Sequence, residues 1–415
     1  MGVARLMLMV VMVCCSVQIG TAFSMAPCAL TLLTLLSVAV ERSAQEQGKS
    51  TLAMDMEGAV ELRDEDKLIL QGAVEGKTEK IQQALNLGAE IDARDDDVGN
   101  TPLIWAAFHG HYAAASFLIK RGAQVGALSR DSHKTALIMA AYSGHVSIIS
   151  LLLEKGALIN EANSRGDTPL AIAAYMNHTA AVLTLLDARA SPSRRTIKHF
   201  YTPLHLAAYR GYTEVLAALL PHYSWETPSP EAEFEAFAAE AAGQIAAPDM
   251  NLRDKEGNSA MMLAAIQGQT DAVELLLEAG SDFTAVDKLG NTALMLAANK
   301  GHLTVVTLLA ERLDAGAVIM SSVAKQVAAR AGPRGASSAW LVDAPNLRNE
   351  TPLGRSCAKG FTPIIKLLLM RGASLQAATM GGKSCREVAT ENGWNLTLAL
   401  LDTYAASSEG STIEL

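Results

Sequence analysis

Histidines and clustered carboxylates are the side chains of this chain that could serve as general bases or metal ligands. Three of the nine histidines, His111, His145 and His302, each follow a glycine at the end of a short predicted helix. The carboxylates of Asp95–Asp97 fall at a predicted hairpin tip, where solvated charge is ordinary. No P-loop, dinucleotide-binding glycine motif, nucleophile elbow, H-E-x-x-H pair or paired C-x-x-C occurs. We therefore predict no catalytic residue, no metal site and no cofactor, and a protein that is not an enzyme.

The five cysteines do not form a disulfide framework. Cys14, Cys15 and Cys28 lie in an apolar N-terminal region, which leaves Cys357 and Cys385 in the rest of the chain. Those two occupy different positions of the repeated unit described below. We predict that both are buried free thiols, which pack as small apolar residues.

A repeated tag of the form Thr/Ser-x-Leu/Met/Val organises most of the chain. The eight tags begin at Thr101, Thr135, Thr168, Thr202, Ser259, Thr292, Thr351 and Ser384. The steps between them are 34, 33, 34, 57, 33, 59 and 33 residues, so the two long steps equal one period of 33 plus 24 and plus 26. A fixed period near 33 is typical of stacked repeats, in which each unit buries its apolar face against its neighbours. Such solenoids usually hold another molecule.

Each unit combines a tight turn with two short helices. In residues 97–111 (D-V-G-N-T-P-L-I-W-A-A-F-H-G-H), a glycine permits the turn, Thr101 caps a helix and Pro102 fits its first turn. A glycine ends this helix and a second one follows, as in 146–155. The unit closely resembles the ankyrin repeat, with its T-P-L-H-x-A-A…G-H…L-L…G-A pattern, although the histidine of the tag is present only at His205. The resemblance implies a mainly α ankyrin-repeat solenoid. It also implies that the histidines that follow a terminating glycine have a structural role in the repeat.

The resemblance covers roughly residues 64–405, less two insertions of about 223–249 and 316–343. Residues 1–50 are predicted to be a signal or anchor segment, 51–63 a linker and 406–415 a polar tail. The units at 64–96 and 379–405 are atypical, as expected of caps that keep an array soluble.

Both insertions enter between the second helix of one unit and the next hairpin. The first is acidic and contains no Lys or Arg, and Phe234 and Phe237 lie on one predicted helical stripe. The second carries Lys325, Arg330 and Arg334. The opposite charges would allow the insertions to touch. Alternatively, each is an independent excursion, or the first docks a partner as an amphipathic helix.

The N-terminal segment contains no charged residue from Leu6 to Val40. Arg5, the apolar stretch that follows and the small residues 20–22 are typical of a secretory signal peptide. Phe23–Pro27 resembles the junction of bipartite plastid presequences. A second apolar stretch, 28–40, is too short to span a bilayer alone but could anchor the protein together with the first. We expect a secretory or membrane-associated protein, with a plastid as the alternative.

The strongest candidate for a binding surface is formed by the two residues that directly follow each Ala-Ala or equivalent pair at the end of the first helix, hereafter the first and second slots. The first slot there is aromatic in four consecutive units, and the side chains in it, hereafter the aromatic row, are Phe108, Tyr142, Tyr175 and Tyr209. The second slot holds His109, Ser143, Met176 and Arg210. The resemblance implies that both slots face the concave side. The aromatic row either binds another protein or packs against the next hairpin, whereas Trp105 is predicted to be core.

The net charge of −9 argues against nucleic acid as the partner, because phosphate binding requires a basic face. We predict a protein-interaction scaffold or adaptor that binds another protein on the concave face. The alternative is a regulatory or delivery subunit that acts through the insertions on an enzyme or a small ligand.

Overall fold

The computed structural model describes residues 62–223, 249–314, 340–375 and 382–408. The stretch from Leu62 onward forms one unit of the chain. The apolar segment Leu6–Val40, residues 224–248 and 315–339 of the insertions, and residues 409–415 of the tail lie outside the described residues, together with the predictions made for them.

The array consists of paired helices that repeat along the chain. The first helices are α1 (Asp64–Glu75), α3 (Pro102–His109), α5 (Ala136–Ser143), α7 (Pro169–Tyr175), α9 (Pro203–Arg210), α11 (Ala260–Gln267), α13 (Ala293–Lys300), α16 (Pro352–Lys359) and α18 (Cys385–Glu391). The second helices are α2 (Thr78–Asn86), α4 (Tyr112–Lys120), α6 (Val146–Glu154), α8 (Thr179–Asp187), α10 (Thr213–Leu219), α12 (Thr270–Glu278), α14 (Leu303–Asp314), α17 (Thr362–Met370) and α19 (Asn395–Ser408). A short helix, α15 (Trp340–Asp343), precedes the unit of α16.

These elements confirm the predicted mainly α solenoid. Within the described ranges, extended pairing is limited to an isolated antiparallel bridge between Val286 and Thr292. In the same ranges, no helix combines the length and the apolar composition needed to cross a bilayer.

The first helices begin and end where the local sequence directs them. The Thr135 hydroxyl of the second tag accepts a hydrogen bond from the Ile138 N–H at 3.1 Å, which satisfies a backbone donor at the helix start. Gly144 ends that helix with φ +77°, a conformation that L side chains rarely adopt. A Cβ at Gly144 would also lie 2.6 Å from Nδ1 of His178 in the next unit. The glycine is therefore required both by its backbone conformation and by the close approach of the next unit.

A continuous apolar core runs through the stack. Each first helix packs on the first helix of the next unit, as α3 does on α5 and α13 on α16. The small pair Ala106-Ala107 is fully buried, and so are the equivalent pairs Ala140-Ala141 and Ala207-Ala208. Small residues at these positions allow neighbouring helices to approach closely, so each unit depends on its neighbours for burial.

The hairpin tips are hydrogen-bonded to one another, and the insertions do not interrupt this pattern. Between adjacent units without an insertion, Lys288 N–H donates to the Glu256 carbonyl at 3.1 Å. Across the first insertion, Lys255 N–H donates to the His199 carbonyl at 3.0 Å, and across the second, Leu347 N–H donates to Leu289 at 2.9 Å. The units on either side of each insertion are therefore stacked as direct neighbours.

Both insertions also begin or end at residues that belong to the packed array. Tyr223 is buried, and its hydroxyl donates to the Pro192 carbonyl at 2.6 Å. Met250, on the other side of the first insertion, is buried in the core. At the end of the second predicted insertion, the Asp343 carboxylate accepts the Ser374 N–H at 2.9 Å.

The prediction that Cys357 and Cys385 are free thiols is wrong, because the two form a disulfide. Their Cα atoms lie 5.3 Å apart, and both residues are buried. Cys357 lies in the second half of α16 and Cys385 is the first residue of α18, the neighbouring first helix. Disulfide formation depends on the distance between adjacent helices rather than on equivalent positions in the repeat. The bond covalently joins the last two units.

Candidate partner-binding surface

Trp105 connects the first tagged hairpin to the end of helix α3. Its indole N–H donates to the Asp95 carboxylate at 2.7 Å. Its ring is stacked on His109 with centroids 5.7 Å apart and meets the edge of Phe108 at 6.0 Å. The hairpin and both slots of this unit therefore share one face. Trp105, predicted to be core, is half-buried against the core and also supports this face.

The members of the aromatic row differ in exposure. Tyr142, Tyr175 and Tyr209 are 43%, 39% and 37% exposed, whereas Phe108 is half-buried and packs against the core. The Phe108 and Tyr142 ring centroids lie 6.1 Å apart, so the first two members are in contact between units. The three tyrosines thus leave apolar ring surface open to a partner, while Phe108 also serves packing.

The second-slot residues lie beside this row. The His109 and Phe108 ring centroids lie 4.9 Å apart, and the pKa of His109 is lowered, first by desolvation and then by its electrostatic interaction with His111 and His145. Ser143 and Met176 are half-buried, whereas Arg210 is exposed. The Arg210 guanidinium lies 4.5 Å from the centroid of the Tyr175 ring, within cation–π distance.

Histidines at the start of the second helices fix the backbone of the row. Nε2 of His145 lies 3.1 Å from the Phe108 carbonyl, and Nε2 of His178 lies 2.9 Å from the Tyr142 carbonyl. His111 and His302 make the same contact with the units before them. Since a carbonyl only accepts, each Nε2 carries the proton and donates it. These histidines join adjacent units and are thereby engaged in structural bonds.

His178 was not recognised from the sequence as a member of this set. It follows Asn177, which adopts φ +64° in place of the usual glycine. Asn tolerates the left-handed conformation better than most residues, so the turn is preserved although the Gly-His signal is lost. The 33-residue spacing of the tags was the signal that could have identified it.

Metal sites and pockets among the described residues are the alternatives to a protein-binding surface. In these ranges, no group of three or more His, Cys, Asp or Glu side chains is placed to hold a metal ion. An open groove of about 520 Å³ lies between α2 and α4, on the second helices. It is lined in part by Gln82, Tyr112 and Phe117 and does not include the aromatic row.

Comparison with known families agrees with this architecture. The family model "Ankyrin repeats (many copies)" matches residues 69–119, and "Ankyrin repeats (3 copies)" matches 125–196 and 235–321. The model "Ankyrin repeat" matches residues 199–226. The chain belongs to the ankyrin-repeat family. Ankyrin repeats generally mediate protein–protein interaction, which directs attention to surfaces rather than to an enclosed pocket. No curated protein matches this ankyrin-repeat chain.

Proposed function

We propose that this ankyrin-repeat protein is a non-catalytic scaffold or adaptor that binds another protein along the concave face. The binding residues are those of the aromatic row and of the second slot beside it. The observation that carries the proposal is the exposure of Tyr142, Tyr175 and Tyr209 at the same slot of three consecutive units.

The energetics of tyrosine support this use of the row. A tyrosine ring offers a large apolar area with a polar tip at a low cost in side-chain entropy, and Tyr is enriched at binding hot spots. The carbonyl of Tyr142 is held by His178, so this part of the surface is ordered before a partner arrives. Binding to an ordered surface loses less conformational entropy, which improves affinity. The packing explanation applies best to Phe108, which is half-buried.

A second candidate function uses the insertions to regulate or deliver an enzyme or a small ligand. It is favoured by the way the first insertion is anchored at both ends, through Tyr223 and Met250 in the core. The chain therefore leaves and re-enters the packed array at two defined residues. The two functions differ in whether the binding energy lies in the tyrosines or in residues 224–248 and 315–339.

We also propose that the protein enters the secretory route and is secreted or membrane-associated, with import into a plastid as the alternative. The uncharged run Leu6–Val40 supports targeting. The disulfide between Cys357 and Cys385 supports an oxidising compartment, since such bonds are rare in reducing compartments.

Paired affinity capture tests the scaffold function. The full-length protein and its Tyr142→Ala/Tyr175→Ala/Tyr209→Ala variant serve as baits in parallel, and the retained proteins are identified by mass spectrometry. We expect at least one protein to be retained by the first bait and lost from the second. A third bait that lacks residues 224–248 separates the two functions. If the partner is retained by the tyrosine variant and lost from this deletion, the insertion-based function is favoured and the scaffold proposal is contradicted.

A further inference from the structure

We propose that the partner presents an extended acidic segment, whose carboxylates lie over basic side chains at the C-terminal half of the same face. This inference rests on the proposed function, because it assigns the chemistry of the partner on the face that contains the aromatic row. It is carried by two series of charged residues, one at the helix ends and one at the hairpin tips.

The helix-end series begins where the aromatic row ends. The second slot is uncharged in the units of Ser143 and Met176, and it then holds Arg210, Lys300 and Lys359, with Gln267 between the first two. All three cations are exposed. Among the described residues, no carboxylate forms an ion pair with them. Their charges are thus available to a partner.

The hairpin tips change in charge in the same direction. The tip of the first tagged unit exposes the carboxylates Asp96 and Asp97. The fourth exposes Arg195 and Lys198, the fifth exposes Lys255 beside Glu256, and the next two expose Lys288 and Arg348. Trp105 contacts both Asp95 at the hairpin tip and His109 in the second slot, so tip and slot belong to one face. Both series therefore contribute to one surface, which is acidic or neutral at its N-terminal end and basic toward its C-terminal end.

The junction of the two chemistries is the contact between Tyr175 and Arg210. The guanidinium lies 4.5 Å from the Tyr175 centroid and 5.8 Å from that of Tyr212. A guanidinium stacked on a ring still presents its N–H groups at its edge, in a geometry that matches a carboxylate. A segment with apolar side chains at one end and Glu or Asp at the other would therefore satisfy both halves of the face.

A protein segment fits these charges better than a nucleic acid. The slot series supplies three cations over the four units from Arg210 to Lys359, with neighbouring first helices roughly 10 Å apart. A nucleic-acid strand carries a charge at every nucleotide, and the net charge of −9 together with Asp96 and Asp97 would repel it. An acidic segment places carboxylates only where the partner sequence requires them.

The cations also lie in the last turns of their helices, where positive charge stabilises the helix dipole. That role alone predicts a loss of stability without any loss of binding. Measuring both quantities on the same variants therefore separates a binding role from a purely stabilising one.

The test measures the binding of labelled peptides to the full-length protein at low ionic strength. The probes are roughly 20 residues long, enough to span about 60 Å when extended. Each probe carries Phe and Tyr in one half and Glu in the other. One version has the aromatic half at the N-terminus and a second version has it at the C-terminus, and matched probes carry Gln in place of Glu. We expect the better Glu probe to bind at least about tenfold more tightly than its Gln counterpart. Arg210→Gln/Lys300→Gln/Lys359→Gln should abolish that preference without a large change in melting temperature.

The matched control removes the same charge from the second-helix side, as Lys120→Gln/Lys155→Gln/Lys366→Gln, and should retain the preference. The inference is overturned by equal affinity for Glu and Gln probes, by no binding of the Glu probe, or by unchanged Glu binding in the slot variant. Tighter binding of a single-stranded oligonucleotide that depends on the same cations would also overturn it. If Tyr142→Ala/Tyr175→Ala/Tyr209→Ala leaves the affinity of both probes unchanged while the Glu probe still binds more tightly than the Gln probe, the aromatic row of the proposed function fails and this inference stands. If that variant weakens both probes but the Glu and Gln probes bind the unaltered protein equally, this inference fails and the proposed function stands.

Discussion

The Arg210 guanidinium rests on the ring of Tyr175, with its central carbon 4.5 Å from the ring centroid, although the two residues belong to successive units. A comparable contact joins Phe108 and Tyr142, whose centroids are 6.1 Å apart. The surface side chains of four units are therefore ordered in pairs by contacts between units. Ordering them in advance reduces the entropy that a partner must overcome on binding.

Replacing residues 224–248 by a single glycine should leave the array folded. The replacement restores a 33-residue step between Thr202 and Ser259. The hydrogen bond from Lys255 N–H to His199 O already joins the flanking units. We expect helicity per residue of the described array and cooperative unfolding in denaturant to be retained, as measured by circular dichroism. Loss of cooperativity, or unfolding of the two halves in separate transitions, would show that the insertion belongs to the core.

His205 should make the stability of the array depend on pH. Desolvation lowers the pKa of this fully buried side chain to about 4, from 6.5. Nδ1 accepts the Thr202 N–H at 3.3 Å, so Nε2 donates to the Asn258 carbonyl, also at 3.3 Å and in the next unit. Because the unfolded chain binds a proton at a higher pH than the folded one, stability is full above about pH 6.5 and falls as the pH decreases toward 4.

Between pH 7 and pH 4.5, His205 should lower the free energy of unfolding by on the order of 2–3 kcal/mol. This value follows from about 1.4 kcal/mol for each unit by which the pKa differs between the folded and unfolded chains. The measurement compares the free energy of unfolding at pH 7 and pH 4.5 for the protein and for His205→Gln. The variant should lose less stability on acidification, since carboxylates affect both proteins alike. An identical loss in both would contradict the assignment.

Removing the disulfide should destabilise the last two units. Cys357 and Cys385 are separated by 28 residues, and closing a loop of that size stabilises a fold by roughly 3 kcal/mol. With a reducing agent, or in Cys357→Ala/Cys385→Ala, amide hydrogen exchange should accelerate in α18 and α19 and much less in α3 to α6. The reducing agent should have no further effect on the double variant, which serves as the control. Unchanged exchange in the reduced protein would contradict a stabilising role.

The sequence predicted the parts of the fold that local chemistry determines. The cap at Thr135 and the terminating Gly144 act within a few residues of the chain, so a single repeat is enough to recognise them. Their recurrence then predicted the stacked array. The two long steps between tags also predicted two insertions, whose bounds stay a prediction; the hydrogen bonds of Lys255 and Leu347 join the hairpin tips of the flanking units.

Contacts between units could not be predicted in the same manner. The Cys357–Cys385 bond depends on how far α18 is displaced along α16, which is a property of the stacking and not of either tag. The stacking of Arg210 on Tyr175 and the hydrogen bond from Trp105 to Asp95 likewise depend on side-chain directions. The positions of the two slots could be read from the sequence, whereas the contacts between their side chains and neighbouring units could be seen only in the structure.

Residues 1–50 should direct a fluorescent fusion into the secretory route, a membrane or a plastid. The physical reason is the uncharged run Leu6–Val40, which resembles a signal segment. Microscopy with organelle markers measures the outcome, and an even cytosolic distribution would contradict the prediction. Phe23→Ala separates the two destinations, because plastid import should fail in this variant while simple secretion should persist.

The measurement that tests the central claim most directly is partner affinity alongside stability for single tyrosine variants. Each of Tyr142→Ala, Tyr175→Ala and Tyr209→Ala should weaken binding of the captured partner by about 1–2 kcal/mol, because these exposed rings would be buried only in the complex. Melting temperatures should change little. Asn299→Ala, at the equivalent slot outside the row, should matter less for binding. If the tyrosine variants instead melt at much lower temperatures while each folded molecule binds the partner as before, the row is a packing feature and the proposed binding surface is wrong.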